Sequence, residues 1–252
     1  MQSTLSQLPQ PPSRRVSGLR SWGPGRASIG FPIGFLLAAV LLASGCDGSG
    51  GEQPVTDIAH ADQAKASFVW PDDPTHPVIR LDIDGAAGWG SIDIELMPEL
   101  APSTVAQILK WTKEGYYNGT TFHRVIKGFM IQGGDPNSRD KNPSNDGKGG
   151  PGFTLNDEFS DAPFLRGVVG MGNKGNENSA GSQFFIMHAD DPSLDGRYTV
   201  IGRVRAGMEV VDAIVEVEVD SIGRWGPRDR PIESVMMKRV RAIKSRLAAR
   251  GR

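Results

Sequence analysis

The densest group of chemically capable side chains lies in Phe122-His-Arg-Val-Ile-Lys-Gly-Phe-Met-Ile-Gln-Gly-Gly-Asp135. Within fourteen residues it offers a guanidinium (Arg124), an aromatic ring (Phe129), a thioether (Met130) and an amide (Gln132). The same mixture recurs downstream in Gly172 and Asn173, in Gln183 and Phe185, and in Leu194 and Tyr198. A guanidinium is permanently charged and donates through a rigid fork, so it can stabilise electron density but cannot relay a proton. Singly, each residue has a plainer reading: Phe129, Met130 and Phe185 as core, Arg124 as a surface ion-pair partner.

Other chemistries find less support. The chain has four histidines, none paired at i, i+3 or i, i+4, so His123 and His188 read as structural hydrogen-bonding groups and no metal or cofactor is expected. The single cysteine, Cys46, allows no intramolecular disulfide and no thiolate zinc site. Asp82-Ile-Asp84-Gly85 lacks the later ligands of a calcium loop. Gly147, Gly149, Gly150 and Gly152 read as a mobile loop, since no Gly-Lys-Ser/Thr follows to hold a phosphate. The chain has no G-x-S-x-G elbow.

The elements that must position these residues are short. Val78–Asp84 and Ser91–Leu96 alternate apolar and polar, as half-buried strands do, around a turn at Gly85–Gly90. A helix is expected over Ala101–Glu114, with Pro102 in its first turn, an apolar face of Val105, Ile108, Leu109 and Trp111, and Gly115 as its stop. Strands follow near Thr121–Val125, Met130–Gln132, Gly167–Gly170, Gln183–Met187 and Tyr198–Val204, with a long polar loop over 136–152. A second helix spans about Met208–Val217, and Ser234–Ile243 is a last strand. Two helices and about eight short strands predict a mainly β fold, a closed eight-stranded antiparallel barrel capped by two helices.

Three blocks carry a family resemblance. Phe122–Asp135, Gly181-Ser-Gln-Phe-Phe-Ile-Met187 and Leu194-Asp-Gly-Arg-Tyr-Thr-Val-Ile-Gly202 resemble the signatures of cyclophilins, in order and spacing, over about residues 77–244. The resemblance implies that barrel, a groove on its outer face, and catalysis of X–Pro isomerisation on proline-containing peptides. It assigns catalysis to Arg124, Phe129 and Gln132, and substrate binding to Met130, Gly172, Asn173, Gln183, Phe185, Leu194 and Tyr198. Ser193 stands where many eukaryotic members carry tryptophan, which implies weak cyclosporin binding, and Tyr198 stands where they carry histidine. Lys141–Asp146 resembles a small insertion. The reading from another class is a non-catalytic proline-peptide binding module or holdase on the same fold. That would be expected to lack the arginine or fill the pocket, and here Arg124, Phe129, Gln132 and Phe185 are all present.

An X–Pro bond needs such a catalyst because amide rotation costs about 18–20 kcal/mol, so its nearly balanced isomers interconvert only over tens to hundreds of seconds. The twisted amide carries a free lone pair on nitrogen. A fixed guanidinium in an apolar, water-poor groove stabilises that lone pair and gains little from the planar ground state. Amide side chains would hold one end of the peptide while the other turns.

The chain's ends read as an address and a tail. Residues 1–46 hold four arginines and no acid, which leaves 24 basic and 29 acidic residues in 47–252, a balance that does not attract nucleic acid. The apolar run Ile29–Ala43 is short for a membrane span of about 20 residues and suits a signal peptide. Leu42-Ala43-Ser44-Gly45-Cys46 resembles a bacterial lipobox, with Ala43 where leucine is commoner. The expectation is a signal peptide over 1–45, a lipid on Cys46, a flexible tether over 46–76, the isomerase domain over 77–244 and a basic tail over 245–252. The protein would then be an exported monomer held on the periplasmic side of a membrane by its lipid. An uncleaved anchor, or a plain secretory signal with an incidental cysteine, is the competing reading. Ala66–Trp70 is expected to pack on the domain.

Overall fold

The apolar alternation of the sequence becomes a single curled sheet. The computed structural model describes residues 68–88 and 90–244. The expected signal peptide, Cys46, the first part of the expected tether and the expected basic tail lie outside the described residues. The strands are β1 (Val78–Gly85), β2 (Gly90–Leu96), β3 (Arg124–Ile126), β4 (Met130–Gly133), β5 (Val168–Met171), β6 (Phe184–Met187), β7 (Val200–Ala206), β8 (Val219–Asp220), β9 (Arg230–Pro231) and β10 (Val235–Ile243). The helices are α1 (Pro102–Lys113) and α2 (Met208–Ile214).

Eight strands form one antiparallel sheet in the order β10-β1-β2-β7-β5-β6-β4-β3, and β8 pairs with β9 apart from it. The outermost strands, β10 and β3, share no ladder. They approach through the segment before β3, where Thr121 bridges Met236 and Phe122 N–H donates to Val235 O at 2.9 Å. The strand expected from Thr121 therefore starts only at Arg124: residues 121–122 bond to β10, while His123 N–H already turns to Gln132 O.

Period-two burial in β1 and β2 sends Ile79, Leu81, Ile83, Ile92, Ile94 and Leu96 into the main core. Helix α1 adds Val105, Ile108 and Trp111 to it, with Leu109 partly buried. Helix α2 adds Val211 and Ile214 and stops three residues short of expectation, Val215 being its C-cap. A second apolar cluster gathers Met130, Phe164, Val168, Phe185, Met187 and Val200. Phe68 and Trp70 are packed against this second cluster, so the end of the expected tether lies on the domain. The Arg203 guanidinium sits 5.9 Å from the Trp70 ring centroid.

Helix α1 has no local cap, because Ala101 carries no side-chain acceptor. Its free N–H groups are met by a carboxylate from far along the chain: Ser103 N–H donates to Glu158 Oε1 at 3.0 Å and Thr104 N–H to Oε2 at 2.8 Å. A negative charge at this end also complements the helix dipole. Burial pushes the Glu158 carboxyl up, but the hydrogen bonds from Thr104 and Ser103 outweigh it and hold the group below its ordinary 4.5. Glu158→Ala should therefore lower stability by about 1–2 kcal/mol, the usual scale of a lost N-cap. A group with a depressed folded pKa contributes fully above its unfolded value and loses that contribution as pH falls through the folded one. The urea midpoints of wild type and variant should thus differ at pH 7 and converge in acid. A constant gap across that range would show that the charge is not what caps the helix.

Candidate active site

The register of three strands assembles the centre of the site. Arg124 on β3 pairs with Gln132 on β4, Gln132 pairs with Phe185 on β6, and Phe185 pairs with Gly170 on β5. Directly opposed residues on antiparallel strands share a face, so guanidinium, amide and ring form one row. Gly170 makes room at its end: a Cβ there would stand 2.7 Å from both Phe164 Cε1 and Phe185 Cζ. That space lets the Phe164 and Phe185 rings stack at 5.6 Å.

The apolar wall lies beside the row. Phe129, Leu194 and Tyr198 are partly buried and packed on the cluster that holds Met130 and Phe185. Tyr198 meets Phe185 edge-on at 5.5 Å. Leu194 ends a one-turn 3-10 helix, Pro192–Leu194, in which Ser193 N–H donates to the capping Asp191 Oδ1 at 3.0 Å. Ser193 in that turn is exposed, with its hydroxyl donating to Asp191 Oδ1 at 2.6 Å. The Arg124 guanidinium carbon lies 6.0 Å from the Phe129 ring centroid. Among the described residues no carboxylate pairs with Arg124, which removes the plain reading of a surface ion-pair partner.

The amides form the other side. Gln132 Nε2 donates to Gln183 Oε1 at 2.9 Å, and Gln183 Nε2 donates to Gly147 O at 3.0 Å and Gly149 O at 2.9 Å. Gly172 N–H donates to Gln183 O at 2.8 Å, and a Cβ on Gly172 would approach Gln132 Nε2 to 3.3 Å. Asn173 accepts from Gly175 N–H through Oδ1 at 3.0 Å. Gln132, Gly172, Asn173 and Gln183 line one side of a cleft of about 430 Å³, closed opposite by the glycine-rich run 147–152. All ten residues singled out from the sequence thus fall on one surface, five in the apolar cluster, four around the amide cleft, and Arg124 at their junction.

Two sequence readings change. The glycine run is not a free loop: besides the two bonds from Gln183, Gly149 N–H donates to Asp135 Oδ2 at 3.1 Å. His123 does not make the structural hydrogen bond expected of it. It is 2% exposed, and neither ring nitrogen meets a partner at hydrogen-bond geometry although Gln183 lies near it; burial holds its pKa below the ordinary 6.5 against the opposing pull of Asp135, Asp146 and Gln183. His188 does act structurally, its Nδ1 accepting from Gly128 N–H at 3.0 Å. The signals that could have revealed more were Asp135-Pro136, Asn142-Pro143 and Asp191-Pro192. Each is an Asx residue capping a one-turn 3-10 helix, and the first two order the insertion beside the cleft.

Comparison with known proteins agrees with this geometry. The family model described as cyclophilin type peptidyl-prolyl cis-trans isomerase matches residues 79–242. A probable peptidyl-prolyl cis-trans isomerase of Brucella suis is 52% identical over 130 residues, which are 50% of this chain and 66% of that protein. The match thus spans just under two thirds of that relative. Peptidyl-prolyl cis-trans isomerase B of Bacillus subtilis is 42% identical over 137 residues, 51% of this chain and 90% of that protein. A solved Cryptosporidium parvum cyclophilin-type isomerase superposes with a TM-score of 0.57 at 30% identity, covering 67% of this chain and 98% of that one. A second structure of it was determined in the presence of the dipeptide Ala-Pro. With the family model spanning most of the chain and the three signature blocks converging on one groove, the chain belongs to the cyclophilin-type peptidyl-prolyl cis-trans isomerases.

Proposed function

We propose that this chain accelerates X–Pro isomerisation in exported proteins, with the proline ring against Phe129, Met130, Phe185 and Leu194. Arg124 donates to the prolyl nitrogen as amide resonance fades, while Gln132 and Asn173 hold the adjoining peptide backbone. The observation that carries this reading is an unpaired guanidinium in register with an amide and a ring, against an apolar wall. A low local dielectric strengthens the interaction. No step needs a proton to move, and burial disfavours the charged form of His123, the imidazole nearest Arg124 in sequence. On this reading the curled sheet acts as a closed barrel, the bridge at Thr121 joining its ends, and the protein works as a monomer.

A protease-coupled assay on a proline-containing peptide tests the activity. Arg124→Ala should lower the rate by one to three orders of magnitude, equivalent to about 1.4–4 kcal/mol of transition-state stabilisation, and weaken peptide binding far less. Equal losses in rate and binding would make Arg124 a mere anchor. Binding without acceleration by the unaltered chain would favour a holdase.

Cyclosporin should inhibit poorly, because exposed Ser193 supplies neither the indole donor nor the apolar area of a tryptophan. Ser193→Trp should increase sensitivity, and nanomolar inhibition of the unaltered chain would refute the assignment.

We further propose that the chain is exported and lipid-anchored at Cys46, the only thiol, placed just after the apolar run and small residues of a signal peptide. Cys46→Ser should abolish incorporation of labelled fatty acid and move the protein from the membrane to the soluble fraction. Unchanged labelling and fractionation would favour an uncleaved anchor.

A further inference from the structure

The residues just before β1 form a second polar cluster outside the groove. Asp73 and His76 sit in one turn, closed by His76 N–H donating to Asp73 O at 3.0 Å. The His76 ring is 4% exposed and lies between two carboxylates from other elements. Its Nδ1 is 3.2 Å from Oε1 of Glu95 on β2, and its Nε2 is 3.0 Å from both oxygens of Glu99 in the β2–α1 turn. One ligand atom each from Asp73, His76 and Glu99 fall within 4.8 Å of one another. Asp73 Oδ1 is engaged by the Thr75 N–H and hydroxyl.

We propose that Asp73, His76 and Glu99 form a binding site for a divalent transition ion of the zinc class, with Glu95 orienting the histidine. Two independent features support it. The first is the donor set: one imidazole nitrogen and two carboxylates suit zinc, nickel or cobalt better than calcium, which prefers oxygen alone. Ligands about 2.0–2.2 Å from such an ion stand roughly 3–3.5 Å from one another, close to the 3.0 Å between His76 Nε2 and Glu99. The side chain that must move in is Asp73, at the half-exposed edge.

The second feature is Glu95. It is 7% exposed and serves the ring nitrogen that faces away from the other two acids. A buried carboxylate that holds one imidazole N–H and so aims the second nitrogen at a metal is the usual support of a metal-bound histidine. Charge agrees as well: the ring lies between the carboxylates of Glu95 and Glu99 with Asp73 beside it, and Arg203, whose Nε is 3.4 Å from Glu95 Oε2, meets the far side of the supporting acid. A bound ion would pin the segment carrying Asp73 and His76 to the β2–α1 turn.

Isothermal titration with zinc chloride tests this, using the tag-free full chain carrying Cys46→Ser so that its thiol does not compete. One ion per chain is expected. Glu99→Gln, at an exposed position, should weaken binding at least tenfold without disturbing the fold, His76→Asn should abolish it, and Glu95→Gln should weaken it about 10–100-fold. Zinc should also raise the melting temperature of the parent and not of Glu99→Gln, by mass action on the folded state. No heat of binding, or parental affinity in Glu99→Gln, would overturn the proposal.

Discussion

The site depends on the register of β4 between β3 and β6. Side chains alternate along a strand, so a slip of one residue would carry Gln132 to the core face and bring Ile131 into the groove. Ile131 is fully buried and Gln132 only partly so, and this difference in burial is what fixes the register. Core packing therefore positions the polar row. The hydrophobic drive that seats Val125, Ile131 and Ile186 on one side obliges Arg124, Gln132 and Phe185 to line up on the other. The guanidinium needs no partner of its own to be well placed.

The polar half of the groove is set by buried acids rather than by apolar contacts. Asp135 is wholly buried and accepts from Asn137 N–H at 2.8 Å and from Gly149 N–H at 3.1 Å. A Cβ on Gly149 would fall 2.0 Å from Asp135 Oδ1, so only glycine allows this approach. Asp146, 3% exposed, pairs with Arg230 Nε at 2.6 Å and ties the insertion to β9. A buried charge left without its partner is costly, which makes such pairs specify one loop conformation. With the insertion fixed, Gly147 and Gly149 present the carbonyls that Gln183 reads, and Gln183 in turn orients Gln132.

Legibility in the sequence followed the range of the interaction. β1, β2 and α1 were readable because their burial follows a local period. The groove residues were readable only as signature blocks, since Phe129, Met130 and Phe185 are ordinary apolar residues until β4 and β6 are laid side by side. α2 was read too long because Val215 and Val217 continue its apolar pattern past the point where the helix stops. β8 and β9 were missed, being two residues each and one of them containing Pro231. The cap on α1 could not be seen at all, since Glu158 lies more than fifty residues from the helix it serves.

The segment leading into the domain shows how little sequence is needed to convert a linker into structure. Trp70 is held under Arg203, and Arg203 also faces Glu95, which holds His76. One arginine on β7 thus couples an aromatic contact to a buried polar one, both from the same short stretch. Leu96 N–H donates to Pro77 O at 2.9 Å directly after it, extending the β1–β2 ladder up to the turn. Neither the ring contact nor the ion pair is strong alone, since partly exposed pairs contribute at most about 1 kcal/mol. Their value comes from sharing Arg203 and Glu95, because groups already ordered by one contact lose less conformational freedom in making the next. Residues 68–77 therefore belong mechanically to the domain.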